Sequence, residues 1–573
     1  MVSPYCFATL PLDNFKGGLH LFTHHAGKKW RRLSILLAGI LTLSACSLTS
    51  APMNHEGHEM PTKNSEATSA GAFEVLSGNS FTLTAKESML HLDNQTMKTV
   101  WTYNGTVPGP QLRVKQGEKV KIVLKNELPE PVTIHWHGLP VPNNMDGIPG
   151  VTQNAVKPNE SFTYEFTASV AGTYWYHSHQ RSSVQVDKGL YGSLVVEPAA
   201  PTADPADQDV TLVLDEWMQD DSMAQMHGGG NTGGGEEMNG MDHGTMDHGS
   251  MNHGSMSSST NPAINQSQNT ANGHEDMAGM SDAEMMPLMY TIFSVNGKTG
   301  PAIPPIHVQE GEKIRLRLVN AGYLSHKLNL QGHEFRIVST DGQPIHNPPL
   351  INGQLLNIAP GERYDIEFVA TEPGSWLLEE KSPYPGAKSL AVPILYKGFE
   401  KEKAKPDTPQ MPIVDITKYG EAAKSRFSLD QPYEITYHMD LNTQTMDGQM
   451  AFTINGKAYP DVPPLNVKKG DLVKVTMVNR SKEDIHPMHL HGHFFQVLSK
   501  NGQPVSGSPL IKDTLNILPG ESFVVAFVAD NPGDWMFHCH DLGHAAQGMV
   551  SKVKYAGYQA DFVPDPSIGN MPE

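Results

Sequence analysis

Three stretches of the chain repeat one pattern, and this repeat restricts the possible folds more than any other feature of the sequence. The copies span 104–120, 296–314 and 455–473, and each begins with Asn-Gly and runs into an alternating strand. Each copy later shows a Pro-Gly-Glu or Pro-Asn-Glu turn, followed by an aromatic-rich strand. Because a repeat in sequence indicates a structural unit copied along the chain, we expect three domains of one architecture.

Length and strand pattern indicate the class of these domains. A chain of 573 residues exceeds what a single hydrophobic core accommodates. The repeats contain short alternating segments rich in Val, Ile, Thr and Phe, separated by Pro and Gly turns, without long helical periodicity. We therefore predict an all-β chain of three Greek-key domains, each a β-sandwich or a barrel. The predicted domains are residues 73–200, 205–400 and 410–556, followed by a tail at 557–573.

The segment His-Cys-His-Asp-Leu-Gly-His-Ala at 538–545 carries the strongest chemical signal. A histidine follows its cysteine after five residues and a methionine after ten, and the upstream run His-Pro-Met-His-Leu-His-Gly offers another histidine. A thiolate, two imidazoles and a soft thioether form the ligand set of a blue-copper electron-transfer site. The candidate ligands are His486, Cys539, His544 and Met549. In a strand, His538 and His540 share the face opposite the cysteine, so one strand would link this copper to a second centre.

Four His-x-His pairs supply that second centre. They contain His135, His137, His177, His179, His489, His491, His538 and His540. On a strand each pair points both imidazoles the same way, and eight ligand nitrogens suit a cluster of three copper ions. Imidazole clusters also hold zinc or iron. Zinc, however, has no redox chemistry and would leave the adjacent thiolate without a purpose.

The middle repeat has the pattern without the ligands. It reads His-Lys-Leu-Asn-Leu-Gln-Gly-His at 326–333, where the third repeat reads His-Pro-Met-His-Leu-His-Gly-His at 486–493. Glu-Glu-Lys at 379–381 likewise stands in place of His-Cys-His at 538–540. We therefore expect the cluster to lie between the first and third domains, with four histidines from each.

The four motifs, in this order, resemble the signature of the multicopper oxidases over about residues 75–556. Within that family, the chain is most similar to the periplasmic copper-tolerance oxidases of bacteria. The resemblance implies cupredoxin-like domains and four copper ions. It implies type 1 copper at His486, Cys539, His544 and Met549, and type 2 copper at His135 and His489. It implies a type 3 pair held by His137, His177 and His540 on one ion and by His179, His491 and His538 on the other.

Two acidic positions near these motifs bear on proton transfer. By resemblance, Asp146 orients the type 2 water and relays protons, which together with Cys539 makes it a predicted catalytic residue; a turn-forming Asp before Gly is the alternative. Related bacterial enzymes usually carry an acid just after the second type 1 histidine, and this chain has Ala545 there. Asp541 is a candidate substitute.

The resemblance implies one-electron oxidation of Cu(I), and also of phenols, coupled to four-electron reduction of oxygen to water in copper detoxification. Glu483 and Asp484, just before His486, are either ligands for the substrate cation or part of a solvated turn. A general laccase for phenols uses the same copper set, and a copper-sequestering protein without turnover is the alternative of another class. A copper nitrite reductase is remote, because it has two domains and no eight-histidine cluster.

A segment of unusual composition interrupts the predicted middle domain. Residues 218–289 contain 13 of the 28 methionines, five histidines and many Gly, Ser and Asn. This composition predicts a disordered insertion without a core. Thioether and imidazole are soft donors that select Cu(I), which favours a copper-gathering loop over a neutral linker.

The N-terminal residues predict export. Lys28, Lys29, Arg31 and Arg32 precede an apolar run at 33–43 that is too short to span a membrane. We predict a signal segment at 1–45 that ends in a lipobox, a lipid anchor on Cys46, and a polar tether at 46–72. Export by the twin-arginine route competes with ordinary secretory export. The expected product is a periplasmic monomer that contacts the membrane only through this anchor, and its net charge of −19 excludes a basic nucleic-acid surface.

Overall fold

The computed structural model describes residues 73–219, 280–404, 410–446 and 448–573. The predicted signal segment, lipid anchor and tether, and most of the predicted insertion, lie outside these ranges. No helix within the described ranges is long and apolar enough to cross a membrane.

Strands dominate the fold, and they fall into three successive groups. The first group is β1 (Val75–Ser77), β2 (Ser80–His91), β3 (Met97–Tyr103), β4 (Gly109–Lys115), β5 (Lys119–Asn126), β6 (His135–His137), β7 (Ser161–Thr167), β8 (Gly172–His177) and β9 (Tyr191–Glu197). The second is β10 (Gln208–Met218), β11 (Tyr290–Val295), β12 (Ile306–Val308), β13 (Lys313–Asn320), β14 (His326–Leu330), β15 (Phe335–Thr340), β16 (Gln343–Pro344), β17 (Leu356–Ile358), β18 (Arg363–Val369), β19 (Ser375–Glu380) and β20 (Ala391–Tyr396). The third is β21 (Ile435–Met446), β22 (Gln449–Ile454), β23 (Leu465–Val467), β24 (Leu472–Asn479), β25 (His486–Leu490), β26 (Phe495–Lys500), β27 (Gln503–Pro504), β28 (Leu510–Lys512), β29 (Thr514–Ile517), β30 (Ser522–Val528), β31 (Asp534–Cys539) and β32 (Val550–Tyr555).

Helices are short and lie between strands. They are α1 (Ser182–Gln185), α2 (Asp282–Met289) and α3 (Leu542–Ala546). Single 3-10 turns occur at Asn143–Met145, Gly300–Ala302, Ala387–Ser389, Ile416–Lys418 and Pro566–Ile568.

Each group of strands forms two sheets, and each sheet contains four strands in an order common to the three domains, with edge strands that differ. One sheet has the order β3-β2-β5-β7 in the first domain, β11-β10-β13-β18-β15-β16 in the second and β22-β21-β24-β30-β26-β27 in the third, where β28 also pairs with β26. The other sheet has the orders β1-β4-β9-β8-β6, β12-β20-β19-β14-β17 and β23-β32-β31-β25-β29. The predicted all-β class with three cupredoxin-like Greek-key sandwiches is confirmed.

One buried asparagine closes the same strand in all three domains. Asn126 accepts a hydrogen bond from the backbone N–H two residues on and donates to the carbonyls of Glu130 and Val156. Asn320 and Asn479 make the corresponding three bonds in their own domains. Because buried backbone groups must be paired, this asparagine fixes the loop that leads into the next strand. In the first and third domains, that next strand carries ligand candidates.

In the middle domain, hydrogen bonds and ion pairs occupy the positions of the missing ligands. Glu379 accepts hydrogen bonds from the side chains of Asn329 and Gln331 and pairs with Lys381. On β14, the strand paired with β19, the fully buried His326 lies 2.6 Å from Glu216 and 2.8 Å from Glu380. Burial alone would lower the pKa of His326, but the two carboxylates outweigh it and raise that pKa to about 10. At these positions the middle domain is thus stabilised by ion pairs and hydrogen bonds, whereas the third domain has candidate metal ligands.

The predicted insertion at 218–289 is wrong at both ends. Met218 is the last residue of β10, and residues 282–289 form α2. The helix starts with a capping box between Ser281 and Glu284, which is a strong N-terminal signal. Met286 and Met289 are buried in the shared core of the middle and third domains. Composition hid this helix, because methionine serves equally as a soft metal donor and as an adaptable core residue.

We expect His326→Asn to destabilise the middle domain by about 3–5 kcal/mol at neutral pH, because it leaves two buried carboxylates without their cation. A histidine whose pKa is raised in the folded state stabilises fully below about pH 6.5, and this contribution is lost as the pH rises through the folded value. The difference between the two proteins should therefore shrink as the pH approaches 10. Urea unfolding at pH 7 and pH 10 measures it. The matched control, His438→Asn, removes a half-exposed histidine from an Asp440 pair and should change little.

Candidate metal centres

The ligand candidates lie on paired strands in the same register in two domains. In the first domain β6 pairs with β8, which places His135 opposite His177. In the third domain β25 pairs with β31, which places His489 opposite His538. In β6 the alternation of side chains along the strand turns both histidines of the pair to one face. In the other three pairs the second histidine lies one or two residues beyond the end of its strand. Each domain thereby presents four imidazoles on one surface.

These two surfaces meet, and the eight imidazoles form one buried cluster. His135 of the first domain stacks on His491 of the third with ring centroids 4.0 Å apart, and His137 stacks on His489 at 3.8 Å. Further along the cluster, the His179 and His538 rings are 5.2 Å apart and edge to face. The structure therefore brings together all eight predicted histidines, four from each side of the domain boundary.

The donor atoms in this cluster fit metal ions. Most of the rings have a nitrogen that is buried without a hydrogen-bond partner among the described residues: His135 Nε2, His137 Nδ1, His177 Nε2, His489 Nε2 and both nitrogens of His179 and His540. Buried polar atoms without partners are rare unless something else satisfies them. The Nε2 atoms of His491 and His538 face each other at 2.9 Å. Burial, and then the neighbouring imidazoles, lower the pKa of His177, His179 and His491, which favours the neutral form that binds metal.

Two carboxylates hold the outer nitrogens of these rings. His135 Nδ1 lies 2.9 Å from the backbone carbonyl of Asp146 and 3.2 Å from one of its carboxylate oxygens. The other carboxylate oxygen lies 3.0 Å from His491 Nδ1. Asp513 lies 3.3 Å from His137 Nε2 and 3.4 Å from His489 Nδ1. A partner at one ring nitrogen fixes the orientation of the ring and leaves the other nitrogen for a metal. Each carboxylate therefore orients one ring from each of the two domains.

A second candidate centre lies on the opposite face of β31. The sulfur of Cys539 is 3.8 Å from His486 Nδ1 and 3.6 Å from His544 Nδ1, and these two nitrogens are 3.2 Å apart. Met549 is also fully buried, and its backbone carbonyl accepts a hydrogen bond from the Cys539 N–H. One thiol and two imidazole nitrogens thus converge in a space without solvent, which is the geometry that a soft three-donor copper site requires.

The outer edges of these two histidines have different partners. His486 Nε2 lies 2.8 Å from the Ser481 hydroxyl. His544 Nε2 lies 3.2 Å from Asp282 of α2 and 3.6 Å from Asp541. Phe452 stacks on the His544 ring at 3.8 Å. The helix that follows the methionine-rich segment therefore covers the edge of a candidate copper ligand.

Asp541 caps a helix. Its carboxylate accepts hydrogen bonds from the N–H groups of Gly543 and His544 at the start of α3, and burial raises its pKa to about 6. Ala545 is buried in a small apolar cluster with Ile148. The candidate centre formed by His486, Cys539 and His544 is called the Cys539 group below. Within the described ranges, the polar contacts of Asp541 are with this group and with α3 rather than with the eight-histidine cluster.

Comparison with known proteins gives the family. Three sequence-family models, each described as multicopper oxidase, match residues 84–201, 208–387 and 426–557. The chain belongs to the multicopper oxidases. The prediction of a bacterial multicopper oxidase of the copper-tolerance type is thereby confirmed. Such an enzyme is an oxidoreductase that uses copper.

Relatives of this multicopper oxidase cover nearly the whole chain. Multicopper oxidase MmcO of Mycobacterium tuberculosis is 27% identical, with 92% of this chain and 97% of the relative aligned. A copper resistance protein A homologue of Pseudomonas syringae pv. tomato is 26% identical, with 84% and 93% aligned. The crystal structure of a multi-copper oxidase from Pseudomonas thermotolerans is 26% identical, has a TM-score of 0.59, and aligns over 84% of this chain and 100% of its own.

Sequence reasoning missed two carboxylates of this multicopper oxidase. Asp513 follows β28 in a segment that has no motif of its own, and it reaches the cluster only because β29 pairs with β25. Asp282 lies 262 residues from His544 along the chain. The capping box at Ser281 was the one readable signal, since it marks a helix start within the methionine-rich composition.

We expect Asp146→Asn to weaken copper binding at the histidine cluster by about 10-fold, because an uncharged amide offers one oxygen in place of the two that face His135 and His491. The backbone carbonyl of residue 146 still accepts from His135 in this variant. The blue absorption band of the Cys539 group should remain. Copper per chain after dialysis against a chelator, together with that band, measures the effect. Asp534→Asn, a partly exposed residue 3.9 Å from Lys554, is the control. Equal loss from both centres would contradict a local orienting role.

Proposed function

We propose that the protein is a cuprous oxidase, which oxidises Cu(I) one electron at a time and reduces oxygen to water with four electrons. In this proposal type 1 copper is held by His486, Cys539, His544 and Met549, and type 2 copper by His135 and His489. The type 3 pair is held by His137, His177 and His540 on one ion and by His179, His491 and His538 on the other. Bound copper would supply electron transfer at the cysteine and oxygen reduction at the cluster.

The proximity of donor atoms supports this assignment. The ligand atoms of His179, His491 and His538 lie within 4.8 Å of one another, and so do those of His486, Cys539 and His544. For the other type 3 ion, the ring centroids of His137, His177 and His540 are 4.7–5.8 Å apart. The ring centroids of the type 2 pair are 5.9 Å apart.

The covalent path between the two centres supports rapid internal electron transfer. Cys539 is bonded through the backbone to His538 on one side and to His540 on the other. The His538 Nδ1 also lies 2.8 Å from the Cys539 carbonyl. An electron that arrives at the sulfur therefore needs no motion of the chain to reach either histidine of the cluster.

The acidic surroundings of His544 are the observation that carries the choice of substrate. Asp282 touches the Nε2 edge of this ring, the exposed Glu483 bonds to Ser281, and Asp484 binds the N–H of Ala283. Asp282 thus contacts His544, and two further carboxylates contact the residues on either side of Asp282. Because oxygen donors suit Cu(II) better than Cu(I), such a site would stabilise the oxidised product and favour release of the electron to His544.

Oxidation of phenols is a second candidate activity, and one cavity favours it. A cavity of about 440 Å³ lies between the middle and third domains. Its walls include Tyr364, Tyr384, Phe523 and Ile485, the residue before His486. The cavity also has many polar and charged lining residues, among them Lys327, Lys500 and Glu521. A phenol presents both an aromatic ring and a polar hydroxyl to such mixed walls. In this case a phenol would give its electron to the same copper.

We further propose that the enzyme acts in the periplasm, attached through a lipid on Cys46 and exported by the twin-arginine or the secretory route. Its monomeric state and the copper-gathering role of the methionine- and histidine-rich segment also belong to this proposal. The support is the sequence of the leader and the composition of residues 220–279, with similarity to proteins named for copper resistance.

We expect Cys539→Ser to abolish the blue absorption band and oxygen consumption while the protein stays folded, because a serine oxygen cannot form the soft copper–thiolate bond. Absorption spectra, oxygen uptake with Cu(I), and circular dichroism of the copper-loaded proteins measure the three effects. Serine is nearly isosteric with cysteine, so the buried site should tolerate it. A blue band that survives in this variant would exclude Cys539 as the type 1 ligand.

We expect Asp282→Asn to lower kcat/KM for Cu(I) by about 10-fold, which corresponds to a loss of about 1.4 kcal/mol of transition-state stabilisation. The rate with a phenol should change much less, because a phenol needs no cation ligand. Steady-state oxygen uptake with each reductant gives both values. Glu284→Gln is the control, because it removes an exposed charge on the same helical turn while the glutamine oxygen can still accept the capping-box bond from Ser281. A parallel loss with both reductants would mean that Asp282 acts on the copper site and not on Cu(I).

A further inference from the structure

One arginine of the middle domain is buried at the junction of all three domains. Arg363, at the start of β18, is fully buried. It donates through Nε to the carbonyl of Thr173 in the first domain and through Nη1 to the carbonyl of Gly361 in its own. Its two terminal nitrogens bind the carboxylate of Asp513 in the third domain at 2.8 and 2.5 Å. A two-pronged pair of this kind fixes orientation as well as distance.

The carboxylate that Arg363 holds is in contact with the histidine cluster. One Asp513 oxygen lies near His137 and His489, and the Asp513 carbonyl is 3.0 Å from His489 Nδ1. The neighbouring Thr514 hydroxyl lies 3.0 Å from His137 Nε2 and 3.1 Å from His489 Nδ1. The chain Arg363–Asp513–His489 therefore joins a domain without candidate ligands to one proposed type 2 ligand.

The glycine after His137 leaves the space that this ion pair occupies. A Cβ atom at Gly138 would lie 2.2 Å from Arg363 Nη2 and 2.5 Å from an Asp513 oxygen. The backbone there also has a φ of +80°, which other residues rarely adopt. The ion pair thus packs directly against the strand that carries the first-domain ligands. This contact gives a steric reason for the glycine of the His-Trp-His-Gly motif, because a side chain at this position would clash with the ion pair.

Further charges hold the ion pair in place. Asp341 accepts from the N–H groups of Arg363, Asp513 and Thr514. Lys512 binds Asp341 at 3.1 Å and Glu362 at 3.0 Å. All of these side chains are buried. Burial alone would raise the pKa of Asp513, but the Arg363 guanidinium outweighs it and holds that pKa well below the usual range. A buried carboxylate that has lost such a partner becomes unstable as an anion.

We infer that Arg363 is a positioning residue for the type 2 copper site, because it holds the Asp513 carboxylate against His489 and His137. The inference rests on the proposed copper assignment. It gives the middle domain a role in the metal centre although that domain contributes no ligand. Arg363 touches neither copper nor oxygen, so its effect is on how firmly and in what geometry the type 2 ion is bound.

The test compares copper-loaded wild-type protein with Arg363→Met and Arg363→Lys. A chelator titration follows the type 2 copper by its electron paramagnetic resonance signal and the type 1 copper by its blue band. In Arg363→Met we expect about a 10-fold loss of type 2 affinity, with the blue band unchanged. Lysine keeps the charge but cannot make the two-pronged pair. Arg363→Lys should therefore retain more of the affinity while its type 2 signal is altered.

Arg317→Met is the matched control. Arg317 is a buried arginine of the neighbouring strand β13, pairs with Asp209 and Asp365, and donates to Thr173 of the first domain. It lies in the same kind of domain contact but does not reach the cluster through these partners. We expect its loss to lower stability without a selective change at type 2 copper. Equal type 2 losses in Arg317→Met and Arg363→Met would overturn the inference, as would wild-type affinity in Arg363→Met.

The remaining outcomes also decide the question. If Arg363→Met does not fold, Arg363→Lys decides alone: a wild-type signal and wild-type affinity in that variant would refute the positioning role. A wild-type protein that shows neither a blue band nor a type 2 signal after copper loading would instead refute the proposed function. Wild-type protein with both signals, together with unaffected variants, would refute only the role of Arg363.

Discussion

The structure depends on the contact between two histidine-bearing surfaces. Neither the first nor the third domain holds the cluster alone, because the stacked pairs His135–His491 and His137–His489 each take one ring from either domain. Buried neutral imidazoles with unpartnered nitrogens are unfavourable unless a metal satisfies them. Copper would therefore join the two domains as well as supply the chemistry, and binding of metal to the folded chain would stabilise that contact.

The middle domain shows how the same scaffold is stabilised without metal. At its own copies of the ligand positions, Glu379 gathers two amides and a lysine, and His326 is enclosed by Glu216 and Glu380. Buried ion pairs need such complete hydrogen bonding to offset the cost of removing charge from water. The third network of the domain, around Arg363, contacts Asp513 beside the candidate metal ligands of the neighbouring domains. The middle domain thus reaches the candidate metal centre without providing a candidate ligand.

One helix, α2, covers the candidate site on the other side of β31. Asp282 of α2 meets His544, while Met286 and Met289 anchor the helix in the core. The helix begins just after residues 220–279, whose composition suits Cu(I). In the proposed function, the soft donors of residues 220–279 would capture the cation. Asp282, in the next segment, would hold it beside the candidate ligand His544 for oxidation.

The sequence alone determined the three-domain β architecture and the family, because alternation along strands and the order of four ligand motifs are local patterns. It also predicted each of the eight histidines that the structure gathers into one cluster. It did not reveal α2, Asp282, Asp513 or Arg363. Proton transfer by Asp541, which caps α3, stays a prediction. Contacts between residues such as Arg363 and Asp513, 150 positions apart, arise only when domains pack together. Their spacing along the chain carries no periodic signal, so tertiary structure alone decides which charges meet the metal ligands.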